Sequence, residues 1–315
     1  MGKSTPEVQI EKIFNHVRQL SYKSRPRYKI SCLVCARFLS ERYKLQNIRN
    51  ISDKHLVAFA LFRQSEGIAA KTIKNDLSAI RFLHSKMDSP RYHLSTNGEL
   101  FEEYELVIDQ TSTLGNRAWT NEEFISFVKH AIDAGRQDIA DAAALCRYMG
   151  LRISEAVAAK RAQAEHALRT EIYKVGSEAK NGKNRLVPLS SEAAAMFQAR
   201  LPLIQRGDKL FVNENQNTHS VVQGFEKFLS RVRGNIETNE GKSKRSYKKG
   251  NSTIVNNLTW HGLRYSYIQD RVRQLHSFGL ANDELKRVLS KEIGHERANV
   301  IDIYAGKDFA YVYFI

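Results

Sequence analysis

Apolar residues recur at helical spacing in four early stretches of the chain, 6–20, 28–44, 52–65 and 69–87. In the second of these, Ile30, Leu33, Val34, Phe38 and Leu39 fall along one helix face. Polar breaks separate the stretches and strand-like alternation is weak, which predicts a small helical domain over residues 1–110. Residues 111–118 (TSTLGNRA) are polar and contain Gly115, so they read as a linker. Thr120 and Glu123 then form a capping box, with the hydroxyl and carboxylate spaced to satisfy each other's backbone N–H groups. That box opens a helix reaching about residue 134 and marks the start of a second domain, 119–315. A further helix is expected over 137–149, with Gly150 able to end it. Strands at 170–175 and 185–189 flank Asn181-Gly182, a strong hairpin signal. Helices resume at 190–204, 219–232, 261–276 and 282–292, while the polar stretch 233–258 reads as a long loop or flexible excursion. The pattern predicts a mainly α (α+β) chain: a helical N-terminal domain, then a mostly helical domain carrying a small β-hairpin.

Composition is that of a globular protein, 42% hydrophobic and 26% charged. No run of 18 or more apolar residues occurs, so no membrane span is expected. The opening MGKSTPEVQIEK has no apolar core of a secretory signal. Three cysteines make no disulfide framework, and a cytoplasmic location is the simpler expectation. Cys32 and Cys35 form a C-x-x-C on an apolar helix face with no second Cys/His pair nearby, so core packing is expected of them and not metal binding.

The net charge of +15 attracts polyanions, although charge alone does not separate a nucleic-acid binder from a basic solvated surface. Its distribution narrows the choice. Residues 1–50 carry eleven Lys/Arg against Glu7, Glu11 and Glu41. A second basic cluster, Lys242, Lys244, Arg245, Lys248 and Lys249, lies far away in sequence. Two separated candidate phosphate-contacting regions suit a protein that surrounds a duplex.

Five segments of the second domain hold residues suited to phosphoryl transfer: Arg152 in GLRISE, Lys180 in AKNGKNRLVP, His261 and Arg264 in HGLR, His295 in GHE, and Tyr304 in IDIYA. Cleaving a phosphodiester builds charge on non-bridging oxygens, which two guanidiniums can clamp with forked hydrogen bonds. A departing oxygen needs a proton, and a lysine at a hairpin tip can deliver it. An attacking phenol, with an ordinary pKa near ~10, needs an acceptor for its own proton, and an imidazole can serve. With the cations supplying positive charge, no metal or other cofactor is required.

These boxes resemble the tyrosine recombinase (phage integrase) family. Gly150–Glu155 is similar to the family's first arginine box, His261–Arg264 to its His-x-x-Arg box, and Gly294-His295 to its Gly-His box, with Tyr304 at the nucleophile's spacing after His295. Counting back from Pro188 to the family's hairpin lysine selects Lys180 over its neighbour Lys183. The motifs cover residues 119–304; in the first domain the likeness rests mainly on KTIKNDLSAIRFLH at 71–84.

The resemblance implies the tyrosine recombinase fold, a core-binding domain followed by a catalytic domain that together clamp DNA. It implies that Tyr304 attacks the scissile phosphate to form a 3′-phosphotyrosyl link. Arg152 and Arg264 would stabilise the pentacoordinate state, Lys180 would protonate the leaving oxygen, His261 would exchange the nucleophile's proton, and His295 would hydrogen-bond the phosphate. Glu155 would support the arginines. The implied partners are double-stranded DNA and a homotetramer on two DNA sites (monomer or dimer off DNA), passing through a Holliday junction, with accessory DNA-bending proteins as further candidates and no membrane. The implied location is the bacterial cytoplasm, at the nucleoid.

Two other readings share these residues. A type IB topoisomerase-like enzyme would use the same chemistry as a monomer, and a non-catalytic DNA-binding protein would keep only the scaffold. The insertion at 233–258 and the extra Lys291 and Glu292 before the Gly-His box depart from the family pattern, and Tyr311 and Tyr313 compete with Tyr304 as nucleophile. The tail AGKDFAYVYFI is apolar and aromatic and should pack somewhere. By the resemblance, it would dock on a neighbouring protomer, with packing in cis as the alternative. Deleting residues 307–315 is then expected to weaken synapsis of two DNA sites, and unchanged synapsis in a gel-shift assay would rule that role out.

Overall fold

The computed structural model describes residues 4–19, 24–108, 115–176, 178, 184–249, 251–295 and 297–306. Lys180, Asn181-Gly182, Lys183 and the 307–315 tail with Tyr311 and Tyr313 lie outside the described residues. The chain divides into two compact units, Met1–Ser112 and Thr113–Ile315. No helix among the described residues is long and apolar enough to cross a membrane.

The first unit is helical throughout: α1 (Thr5–His16), α2 (Ser24–Tyr43), α3 (Asp53–Ser65), α4 (Ala70–His84) and α5 (Asn97–Tyr104). The four expected helices are present. The fifth was legible as a capping box, since Thr96 accepts from the Glu99 backbone N–H while the Glu99 carboxylate accepts from that of Thr96. The face assigned to α2 needs correction. Ile30 is 62% exposed, and the inward stripe runs through Cys32, Cys35, Ala36 and Leu39 at i, i+3, i+4 and i+7. Ser31 also faces in, because buried Asp76 accepts its hydroxyl at 2.6 Å. The two cysteines pack in the core, Cys32 against the Ala79 carbonyl at 3.3 Å, and burial pushes both thiols up. Part of the N-terminal basic charge is neutralised within the unit, with Arg37 paired to Glu7 and Lys29 to Glu11 at its surface.

The second unit begins with α6 (Asn121–Asp133), capped as expected by Thr120, and α7 (Gln137–Tyr148). Two short helices that were not anticipated follow, α8 (Ile153–Ala158) and α9 (Arg161–Thr170). β1 (Ile172–Val175) and β2 (Arg185–Pro188) pair antiparallel, with Tyr173 opposite Val187 and Val175 opposite Arg185. α10 (Ser191–Arg200) and α11 (Thr218–Ile236) complete a core that gathers Trp119, Phe127, Phe197, Phe225 and Trp260.

The 233–258 stretch is not a loop. α11 runs to Ile236, and α12 (Asn239–Lys244) and a hairpin of β3 (Ser246–Lys249) and β4 (Ser252–Val255) follow. The reason is one buried ion pair. Glu123 and Arg245 are both fully buried, with Nη1 donating to the carboxylate at 2.6 Å. The same carboxylate accepts the backbone N–H of Thr120 and of Thr238. Gly241 lies so close that an added Cβ would collide with it. Arg245 is therefore a structural residue and not a phosphate contact, whereas Lys242, Lys244 and Lys248 are exposed.

The remaining helices, α13 (Trp260–Ser277), α14 (Asn282–Glu292) and α15 (Val300–Ala305), form the last cluster of the unit. Breaking a buried pair strands the surviving charge. Arg245→Met is expected to lower stability by about 3–5 kcal/mol in urea unfolding, against a change within about 0.5 kcal/mol for Lys248→Met at the surface.

Candidate active site

Each site residue of the second unit is held by a local device readable in backbone terms. Gly150 follows α7 at φ +60°, a conformation that favours glycine, and an added Cβ would strike the Tyr267 ring. That turn leads to Arg152, the N-cap of α8. The Arg152 backbone N–H donates to one Glu155 oxygen at 2.8 Å and its Nη1 to the other at 2.7 Å.

His261 and Arg264 lie one turn apart on α13, whose first turn is capped by the Thr259 hydroxyl. Between them, Gly262 packs so tightly on the Arg117 carbonyl and the Trp119 ring that a side chain would not fit. Arg264 is fully buried, donating from Nη1 to the Gly150 carbonyl at 2.7 Å and from Nη2 to the Ile293 carbonyl. Its Nη1 lies 3.9 Å from Glu155, and its Nε is buried with no hydrogen-bond partner among the described residues.

Gly294-His295 is a helix C-terminus. The Gly294 N–H donates to the Lys291 carbonyl and the His295 N–H to that of Ser290, with Gly294 at φ +66°. This is a Schellman motif, in which the glycine takes the left-handed position and the next residue is aimed back across the helix end. α15 then brings in Tyr304, which is 6% exposed. Its hydroxyl lies 3.3 Å from His295 Nε2 and 3.5 Å from His261 Nε2.

The structure thus brings five predicted residues, Arg152, His261, Arg264, His295 and Tyr304, into one site. Several supports had not been foreseen. The Tyr265 ring packs on Tyr304 at 4.5 Å between centroids. Gln269 Nε2 donates to the Tyr304 carbonyl at 3.0 Å. Arg185, on the buried face of β2, holds both oxygens of Glu155 at 3.0 and 2.5 Å. Glu292, first taken as an extra residue, is buried and accepts from the Tyr267 hydroxyl and from Arg271. An arginine at an inward strand position was the available signal for Arg185. The others depend on packing between helices and left no signal in the local pattern.

The electrostatics are those of an anion site. His261 reaches the surface of the unit, and its ring packs in T-shaped contacts on Tyr265 and Tyr304. Burial, then the charges of Arg264, Arg152, Arg117 and His295, push its pKa down to about 4, so it is a neutral imidazole at neutral pH. Burial and the nearby Arg152 lower Arg264 to about 10, which still leaves it charged. Burial pushes the Glu155 carboxyl up, but the hydrogen bonds and charge of Arg185, with Arg152, outweigh it and hold the pKa at about 2. Among the described residues, no cluster of three or more His, Cys, Asp or Glu could hold a metal ion.

Residues 12–87 match the family model of the phage integrase N-terminal SAM-like domain. No curated protein sequence matches the chain. Among solved structures, the Tn1549 transposon integrase in complex with circular intermediate DNA is similar over 96% of this chain and 95% of its own, at 16% identity and a TM-score of 0.59. The XerH site-specific recombinase bound to difH is similar over 98% of this chain and 84% of its own, at 17% identity and a TM-score of 0.59. This chain has the tyrosine recombinase fold. A lambda integrase tetramer bound to a Holliday junction shares that fold over 96% of this chain and 76% of its own, at 16% identity and a TM-score of 0.59.

The depressed pKa of His261 can be measured directly. Its imidazole resonances are expected to stay in the neutral position from about pH 8 to about pH 5, whereas an unperturbed histidine titrates near ~6.5. Below ~6.5 the unfolded chain accepts a proton that folded His261 refuses, so this group's contribution is complete above ~6.5 and is lost as pH falls toward about 4. A His261 midpoint near ~6.5 in an NMR titration would contradict this account of its surroundings.

Proposed function

We propose that the chain is a site-specific DNA recombinase or integrase that cuts and rejoins DNA through a phosphotyrosyl intermediate. The observation that carries this is the Tyr304 hydroxyl within 3.5 Å of two imidazoles, in a site where Arg152 and Arg264 approach the same carboxylate. Neutral His261 takes the phenol's proton as Tyr304 attacks phosphorus. Arg152 and Arg264 hold the non-bridging oxygens, where negative charge grows. The buried Arg264 Nε, without an acceptor among the described residues, favours an anion here, because an unmet donor costs about 1–3 kcal/mol. His295 donates to the phosphate, and Lys180 protonates the departing 5′-oxygen. The 3′-phosphotyrosyl link keeps the bond energy, and reversal with a different 5′-hydroxyl completes strand exchange.

In this reading, residues 1–110 form the core-binding domain and 119–315 the catalytic domain, joined by 111–118. Four copies act on two DNA sites through a Holliday junction, with accessory DNA-bending proteins as partners, at the bacterial nucleoid.

The test begins with a duplex that the protein itself selects from a random-sequence pool, nicked beside the cleavage position so that the cut fragment is lost. Wild type is expected to form a covalent protein–DNA adduct on denaturing gels. Tyr304→Phe should bind the duplex equally and form none, and Arg152→Ala should slow adduct formation by at least ~100-fold. Binding without an adduct in wild type would overturn the reading. Relaxation of a supercoiled plasmid with no need for a second site would assign a topoisomerase instead.

A further inference from the structure

We infer that Arg185 is a positioning residue of this site, locking Glu155 in place beside Arg152 and fixing the turn that presents His295. The inference rests on the reading of Tyr304 as nucleophile. Arg185 stands on the inward face of β2, 7% exposed, at a position where the strand's alternation calls for an apolar residue such as Val187. Nothing about the hairpin itself requires a guanidinium there, and burying one is costly unless every interaction is well made.

Here the interactions reach three separate parts of the site. Nη1 and Nη2 grip the two oxygens of Glu155, which is itself fully buried. Glu155 in turn receives the backbone N–H and Nη1 of Arg152. Nε donates at 2.9 Å to the carbonyl of Glu292, the last residue of α14. The stem of Arg185 also lies under the Schellman turn, since a Cβ added at Gly294 would stand 3.0 Å from its Cδ. One side chain therefore connects the strand leading from the hairpin, the arginine box and the Gly-His box. It touches neither Tyr304 nor the place proposed for phosphate, so its effect runs through Glu155 and His295.

Glu155 is surrounded by Arg152 on its own helix, Arg185 from β2 and Arg264 from α13, and its charge is felt by Cys146 of α7 and Tyr173 of β1. Burial keeps Cys146 and Tyr173 protonated, so neither titrates in the working range. Arg185 is foremost among the influences opposing the burial of Glu155. Without it, the burial of Glu155 is opposed chiefly by Arg152, and the carboxyl is pushed up. Protonation then deprives the Arg152 guanidinium of its ionised acceptor, while Arg264 keeps its two carbonyls.

The test compares Arg185→Gln with wild type on the self-selected nicked duplex, scoring adduct formation per bound DNA from about pH 5.5 to about pH 8.5. The variant is expected to bind DNA normally and to cleave on the order of 10- to 100-fold more slowly at neutral pH. The ratio of variant to wild-type rate should climb several-fold with rising pH, as Glu155 ionises. A ratio that is flat with pH, or equal to one throughout, overturns the inference, because a merely structural arginine would not tie the rate to a carboxyl's ionisation. If Arg185→Gln does not fold, Arg185→Lys carries the same test with a smaller climb, and a flat ratio there is equally decisive. Absence of an adduct in wild type would instead refute the functional reading.

Discussion

The second unit is organised around one buried carboxylate. Arg152, Arg185 and Arg264 all approach Glu155, at 2.7, 2.5 and 3.9 Å. Guanidiniums brought together in a protein interior repel strongly, and charges removed from water are stable only with a counter-charge and full hydrogen bonding. Glu155 supplies that charge before any anion arrives, and its low pKa keeps it supplied over the whole physiological range. The arginines are thereby oriented in advance, and binding an anion need not organise them. Burial first, and then the charges of Arg264 and Arg152 with those of Arg117 and His295, keep His261 neutral.

Backbone devices do the remaining positioning. Gly150 and Gly294 each adopt a left-handed conformation at the end of a helix; the Tyr267 ring leaves no room for a Cβ at Gly150, and the Arg185 stem would crowd one at Gly294. The carbonyls released at these two ends, those of Gly150 and Ile293, are the ones Arg264 collects. Helix termini leave carbonyls without intrahelical partners, and a buried arginine with several donors satisfies two of them at once. The loops carrying Arg152 and His295 are thus tied to the helix carrying His261.

Much of this was legible in the chain. Helical periodicity located the main helices of both units, and the capping box at Thr120–Glu123 located the start of α6. Four of the five boxes pointed to residues that do meet, the Lys180 box lying outside the described residues, because motif spacing reflects local turns such as the Gly294-His295 helix end. What was not legible depended on partners distant in sequence. Ile30 and Cys32 occupy neighbouring helical positions, and only the opposing helices decide which faces in. The 233–258 stretch looked like a loop because its composition is polar, but one arginine in it finds a carboxylate buried in α6. Arg185 was passed over for a related reason, since alternation with Val187 places it on the inward face but does not name the distant carboxylate that makes a guanidinium tolerable there.

The contact between Glu123 and Arg245 spans 122 residues, and the Trp119 backbone N–H is satisfied by Ser266 across 147. The opening segment of the second unit therefore stays incomplete until nearly the whole unit has left the ribosome. Loops of that length close slowly, because chain entropy is lost before the contact returns any energy. A fragment ending before Arg245 holds an unpaired carboxylate, and one ending before α13 leaves the Trp119 N–H without Ser266, so neither completes the fold of this unit. Premature termination within the second unit should accordingly produce material for proteolysis.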